Sequence, residues 1–419
     1  MASHFAHATS LNPYAPLDQL ARVLVLIEKE YVDPAPQDRL IDGAVKGMVA
    51  ELDPHSSYMS PADFMLFQSD TEGKFAGVGV EVDMKNDVPT VIAPIEDSPA
   101  ARAGICSGDQ IIAVDGKPIR GERLDKLVRT MRGPSGSTVR LTVKRPAAPD
   151  PMEFSLTRQE IRVASVAAKR LERDVVYVRI KQFQEGTHRE LLQALATLRA
   201  SSPLPARGVL LDLRSNPGGL VDEAEAIADE FLTSGVIYST RHRGKTTEEV
   251  RAHDGGALSN LPVVALVNEY TASSSELLAG ALQDNGRAIL IGGTTFGKGS
   301  VQTIFDLPGG AGAKITTLRY YTPSGRSIQA QGVRPDIALS RRDANDAGLL
   351  VRERDLDGHL PAEVSKEPAR EAQRVLVEPN DAVGSESEIR ANEIPADPTK
   401  GRDFALRAGF EELVRSTRP

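Results

Sequence analysis

The sequence predicts an α/β protein, and three observations carry that prediction. Strand-like and helix-like stretches alternate from about residue 166 to 337. The strands among them, at Val175–Ile180, 208–213 and 261–267, are nearly unbroken apolar runs, as expected of strands covered on both faces. Glycine- and serine-rich turns, Asn216-Pro217-Gly218-Gly219 and Thr271-Ala272-Ser273-Ser274-Ser275-Glu276, follow two of those strands and open helices.

The elements divide the chain into four expected regions. Residues 1–72 are helical. Leu17, Leu20, Ala21, Leu24 and Ile27 recur at helical spacing, with Asp18 near the start and Pro34 past the end. Val23, Val25 and Leu26 widen that apolar face, so the helix meets a second surface, either another subunit or another part of its own domain. A second helix, about 39–52, is stopped by Asp53-Pro54.

Residues 73–150 read as a compact β-rich module. Residues 77–82 (Gly-Val-Gly-Val-Glu-Val) alternate as a strand, 90–95 supply another, and 98–105 form a short helix with a glycine stop. Residues 109–116 are a strand ending in an Asp-Gly turn, followed by a helix over Leu124–Met131 and a strand over 138–143. In this order the elements resemble a circularly permuted PDZ domain of the bacterial protease type. Its carboxylate-binding loop falls on Phe75-Ala76-Gly77-Val78-Gly79-Val80, where glycines let backbone amides face a peptide's terminal carboxylate.

Residues 151–340 make up the α/β core. Beyond them, 341–419 turns charged and Pro-rich. Residues 361–400 read as poorly ordered linker, and 404–414 as an amphipathic helix that docks on the rest.

Composition excludes more than it identifies. The chain has 419 residues, 40% hydrophobic and 26% charged, which suits two or three globular domains. A net charge of −8 with no basic block argues against a nucleic-acid partner. No apolar run is long enough to span a membrane, and the N-terminus shows no signal core; an exported form would have had its signal removed. The lone Cys106 rules out an internal disulfide and lacks a basic neighbour to activate it.

The chemistry gathers around one serine and one lysine. A serine at a helix start sits beside unpaired N–H groups and the positive end of the helix dipole. Ser273 and Glu276 also fit a plain capping box. What favours a nucleophile is the setting: strand, tight turn, helix, with the following amide aimed at a developing oxyanion. Asn216-Pro217-Gly218-Gly219, a turn at the same sheet edge, offers a second donor. Lys298, between glycines past the apolar run 288–291, suits a general base once its pKa falls from about 10.4 towards 7–8, roughly 3–5 kcal/mol. Gln302, on the same side of its strand as Lys298, is a neutral partner for that amine.

Rival readings fail on detail. Gly292 to Lys298 fits most of a phosphate-binding loop, but Gly299 stands where Ser or Thr is needed and a strand follows where a helix should. Asp53, His55, Ser56 and Ser57 are too close in sequence to converge as a triad and read as helix-stop chemistry. His242 and His253 lack ligand spacing, so neither metal nor other cofactor is expected.

Taken together, the chain resembles the C-terminal processing peptidases (tail-specific proteases) of the carboxyl-terminal protease family from about residue 17 to 360. The resemblance is carried by Leu52-Asp53-Pro54-His55-Ser56-Ser57-Tyr58-Met59, the PDZ module, and the stretches 211–219, 294–302 and 320–329. It implies a crotonase-like layered core with an inserted PDZ domain and an N-terminal helical region. It also implies Ser273 as nucleophile, Lys298 as base and Gln302 as its orienting partner. Gly219, Gly218 and Ser274 then supply the oxyanion hole. Expected partners are proteins or peptides with apolar C-termini, an activating or adaptor protein, and a second copy docked through the N-terminal helices. The expected location is the periplasm or cell envelope. Arg132, beside the PDZ helix, is a candidate link between peptide occupancy and the active site. A peptide-binding scaffold without catalysis is the alternative reading.

Overall fold

The computed structural model describes residues 15–71, 74–85, 88–95, 98–119, 121–122, 124–146, 148–162, 164–340, 351–363, 370–378 and 394–417. The chain forms two compact units, one of residues 1–64 and 302–316, the other of 65–301 and 317–419.

In the first unit, helices Ala15–Glu30 and Gln37–Ala50 lead to the strand Ser57–Met59, which pairs antiparallel with Gly312–Lys314. Both helices are amphipathic by sequence, yet much of their apolar surface stays uncovered. Leu17, Val23, Val25 and Leu26 on the first helix and Met48 on the second are exposed.

The second unit is built on a seven-stranded sheet. Its strand order is Val166–Arg170, Val175–Ile180, Gly208–Asp212, Val263–Val267, Ala288–Gly292, Ile337–Ser340 and Arg374–Val377. The first pair is antiparallel and every later pair is parallel. Alternate residues of the central strands face opposite layers, as the strand period requires. Val209, Leu211 and Ala265 join the core with helices Thr187–Ala200, Val221–Phe231 and Ser274–Asp284. Leu210, Val264, Leu266 and Ile291 meet Leu406, Phe410 and Leu413 of the terminal helix Phe404–Ser416. The result is a three-layer α/β/α core, the class that the alternation implied.

The C-terminal region differs from expectation. Residues 361–400 are not simply a linker, because Arg374–Val377 pairs parallel with Ile337–Ser340 and extends the sheet. Glu363 accepts hydrogen bonds from Arg319 at 2.6 Å and from the Tyr321 hydroxyl. A four-residue edge strand holds too little alternation to stand out in a charged, proline-rich stretch. Residues 364–369 and 379–393 of that segment lie outside the described residues.

The PDZ sheet runs Val80–Lys85, Val88–Pro94, Gln110–Val114, Thr138–Lys144 and Met152–Thr157, and Leu124–Met131 packs on it through Leu127 and Met131. Met152–Thr157 carries this sheet past residue 150, where the module was expected to end. The strand expected at 77–82 is broken in two: Lys74–Gly77 pairs with Gln159–Arg162, and Val80–Lys85 starts afresh as an edge. Gly79, at φ +75°, makes the break, and a Cβ there would sit 2.2 Å from Ser98 Cβ.

Because Leu413 is fully buried against the far face of the sheet, Leu413→Ala is expected to cost about 2–5 kcal/mol of stability. Denaturant unfolding of parent and variant measures this; a loss under 0.5 kcal/mol, the range of surface changes, would mean that the helix is not part of the core.

Candidate active site

Three parallel strands end side by side, and the loops that follow them build the site. Gly208–Asp212 runs into the turn at 213–220, Val263–Val267 into the serine turn, and Ala288–Gly292 into the lysine loop. The first two turns are laced together. Thr271 Oγ1 donates to the Leu213 carbonyl at 2.9 Å, Ala272 N–H to Asn216 O at 2.9 Å, and Ser215 N–H to Asn268 Oδ1 at 2.8 Å.

Ser273 is the residue before helix Ser274–Asp284, with φ +57° and ψ −123°. A side chain in that region costs about 1–3 kcal/mol and persists only where neighbours fix it. Of the capping box expected from the sequence, the Glu276 half is hydrogen-bonded: Ser273 N–H donates to Glu276 Oε2 at 2.9 Å. The Glu276 N–H goes at 2.8 Å to the Ser273 carbonyl oxygen.

The adjacent serines are committed elsewhere. Ser274 Oγ donates to Gly219 O at 3.2 Å, and Ser275 Oγ to Asn216 O at 3.1 Å. Gly218 presses on the same spot: a Cβ there would lie 2.8 Å from both Ala272 O and Ser273 Cβ, and its φ is +99°. Its N–H donates to Asn216 Oδ1 at 2.9 Å. The N–H groups of Gly219 and Ser274, by contrast, have no acceptor among the described residues.

Glu276 binds the serine turn to the lysine loop. Its carboxylate is fully buried. Oε2 accepts from Ser273 N–H and Lys298 N–H, each at 2.9 Å. Oε1 accepts from Gly297 N–H at 2.7 Å and from the Thr295 hydroxyl. Ser273 and Lys298 thus have backbone nitrogens within twice 2.9 Å of each other, and both side chains are half-buried. Burial raises the Glu276 carboxyl pKa, the four donors pull it back, and it settles at about 7.

The remaining expected residues fall as follows. Gln302, a residue of the first unit, lies on strand Ser300–Asp306, and its Nε2 donates to Thr316 Oγ1 at 3.2 Å. That strand also stands where a phosphate loop would need a helix. Phe75 and Gly77 lie on the short strand paired to Gln159–Arg162, and Val80 opens the edge strand. The carbonyls of Val78 and Gly79 are taken by Ala100 N–H and by Ile95 N–H and Ser98 Oγ. Their own N–H groups have no acceptor among the described residues. Arg132 follows the PDZ helix and returns its N–H to Val128 O at 3.0 Å. Asp53 is the stop turn expected, accepting His55 N–H at 2.9 Å and Ser56 N–H at 3.0 Å. Its further bond to Thr316, 263 positions away, had no sequence signal. Glu276 was legible only as a cap; its spacing gave no hint of the lysine loop. No group of possible metal ligands occurs among the described residues, and none of their helices is long and apolar enough to cross a membrane.

Comparison with known proteins agrees with this build. Residues 174–339 match peptidase family S41, 90–145 match a PDZ domain, and 3–62 match the N-terminal domain of the activating protease CtpB. The chain is 39% identical over 367 residues to a carboxy-terminal-processing protease of Bartonella bacilliformis, covering 86% of this chain and 84% of that one. It is 34% identical to the carboxy-terminal processing protease CtpA of Bacillus subtilis, covering 78% and 69% of the two chains. A solved Bacteroides fragilis structure assigned to the S41 proteases shares the fold, with a TM-score of 0.51 at 16% identity over 95% of this chain and 98% of that one. The protein is therefore a serine-type peptidase that carries a PDZ domain. It belongs to peptidase family S41, among the carboxy-terminal processing proteases.

Glu276 gives the stability a pH dependence. With its pKa at about 7 in the fold and near 4.5 when unfolded, the native chain binds more protons than the unfolded chain between those values. The stability from this group is whole below 4.5 and is lost as pH rises through 7. Glu276→Gln is neutral throughout, so its stability should change less than the parent's between pH 4.5 and 7. Denaturant unfolding across that range measures both curves, and parallel curves would sink the assignment.

Proposed function

We propose that the protein cleaves protein chains by a Ser–Lys mechanism after its PDZ domain has captured an apolar C-terminal tail. The observation that carries this reading is the shared acceptor: Glu276 Oε2 takes the backbone N–H of both Ser273 and Lys298. In the proposed reaction Ser273 Oγ attacks the scissile carbonyl while Lys298 Nζ takes its proton, and the same proton goes to the leaving amine. Water then hydrolyses the acyl-enzyme. Gly219 and Ser274 N–H hold the oxyanion, since both amides lack acceptors among the described residues. Gly218 serves that turn through its shape, because its N–H is occupied by Asn216. Gln302 orients the lysine amine without adding charge.

For tail capture, the amides of Gly77, Val78 and Gly79 receive the carboxylate. The peptide adds to the edge strand Val80–Lys85, Val80 flanks the apolar terminal residue, and Phe75 belongs to the strand Lys74–Gly77 that leads into the loop. Arg132 relays occupancy to the protease core. The uncovered apolar faces of the two N-terminal helices support a homodimer, and the likeness of residues 3–62 to an activating protease's N-terminal domain supports an activating or adaptor partner. The cell envelope or periplasm is the proposed location.

A loosely folded protein ending in apolar residues is the substrate for the test. Ser273→Ala and Lys298→Ala should each lower the cleavage rate by about a thousandfold or more with folding intact. Retained cleavage in either variant removes that residue from the mechanism. If the parent binds the tail without cleaving under any condition, the scaffold reading wins. Replacing the apolar tail by a charged one should raise KM by about tenfold through lost burial. If Arg132→Ala cleaves at the parental rate with and without an apolar tail, the relay is wrong.

A further inference from the structure

We propose that Thr316 and Asp53 are positioning residues for the hydrolysis, fixing which end of the Gln302 amide is presented to the reaction. The inference rests on the reading of Gln302 as the neutral partner of Lys298. Gln302 Nε2 lies 3.2 Å from Thr316 Oγ1, on the neighbouring strand Gly312–Tyr321. An amide and a hydroxyl can bond in either sense, and here the sense is decided one residue further on. Thr316 Oγ1 donates to Asp53 Oδ1 at 3.1 Å. A hydroxyl has one hydrogen and a carboxylate only accepts, so the Thr316 oxygen is left to accept from Gln302. The amide must turn its NH2 to Thr316 and its carbonyl oxygen the other way. A deprotonated lysine amine keeps two hydrogens, and an amide oxygen accepts one without bringing the full negative charge by which a carboxylate would hold the ammonium form.

Asp53 is well placed to set this direction. It is only 6% exposed, and its Oδ1 also takes His55 N–H at 2.9 Å and Ser56 N–H at 3.0 Å. Ser56 Oγ donates to Oδ2 at 2.7 Å and accepts Thr316 N–H at 3.0 Å. Ser56 Oγ also lies 3.4 Å from Thr316 Oγ1, but the shorter contact to the carboxylate claims its hydrogen. The pairing of Ser57 with Lys314 sets the register of the turn against Thr316. The turn that ends the second helix therefore also orders a side chain on a strand some 250 residues later in sequence.

The test uses the full chain and compares Gln302→Ala, Thr316→Val and their double variant. Three quantities are read: kcat, KM, and the rate at which a fluorophosphonate labels Ser273. Valine keeps the shape and β-branching of threonine and removes the hydroxyl. Thr316→Val should lower kcat and the labelling rate by about tenfold with KM held, the scale of one lost oriented hydrogen bond. The double variant should fall no further than Gln302→Ala alone, and Thr316→Ser, which restores the hydroxyl, should recover most of the rate. If Gln302→Ala is slow while Thr316→Val matches the parent, or if the two losses multiply, the positioning role is overturned and the reading of Gln302 stands. If Gln302→Ala matches the parent, that reading falls and the positioning role falls with it. Should valine lower the unfolding midpoint, Asp53→Asn makes the same comparison. A loss of kcat that vanishes in the Gln302→Ala background supports the relay, and one that persists there overturns it.

Discussion

The site depends on a carboxylate that has no contact with water. Burying a charged group is costly unless donors meet it, and Glu276 is met by four, from two separate loops. None of those donors can be withdrawn without leaving the charge under-satisfied, so the loops cannot drift apart. The constraint spreads outward through Thr295. Its hydroxyl donates to Glu276 and accepts Val333 N–H at 2.7 Å, while its carbonyl accepts from Arg352. One side chain at the third position of a helix thereby fixes the serine turn, the lysine loop and the segment that follows.

The sheet explains why these loops are together at all. Parallel strands end at one edge, and a loop leaving each end has only that edge to occupy. The far side of the same edge is closed by a second buried cluster. Arg214, just past strand Gly208–Asp212, pairs with Asp212 at 2.7 Å and with Asp403 at 2.9 Å. Asp403 also caps the terminal helix through Leu406 N–H. Burial pushes the Asp212 carboxyl up, but the guanidinium beside it prevails and holds it below its ordinary value. Arg214 stays charged for the same reason. The terminal helix is therefore tied to the strand end two residues before Asn216, which scaffolds the serine turn.

What the sequence made legible follows from the range over which a pattern acts. The helix Leu124–Met131 and the strand Val175–Ile180 stand where their periodicity puts them, because each is decided by its own residues. The break at Val78-Gly79 was not visible, since Gly-Val-Gly-Val alternates like a strand whether or not Gly79 turns back. Met152–Thr157 was missed because only its pairing with Thr138–Lys144 assigns it to the PDZ sheet. Glu276 illustrates the limit most clearly. Ser-x-x-Glu states a local cap truthfully, yet says nothing of Gly297 and Lys298, which reach the carboxylate only after the chain has crossed another strand.

Three consecutive serines pose a choice, and hydrogen bonding separates two of them from the third. The hydroxyls of Ser274 and Ser275 hold the carbonyls of Gly219 and Asn216, so removing either would loosen the turn rather than create a nucleophile. A peptide unit that points its oxygen one way points its N–H the other, and the Gly219 N–H shares its unit with Gly218 O, which accepts Phe183 N–H at 2.9 Å and so turns that amide away from Phe183. Gly219 is the exposed member of the pair, and Gly218, with its N–H on Asn216, is not. Ser273 alone combines a left-handed φ, a helix start behind it and an unoccupied amide at the next residue. In the proposed acyl transfer, the neighbouring serines are what would make that position usable: they commit their hydroxyls to the scaffold and leave the Ser273 hydroxyl and the two amides to meet the substrate.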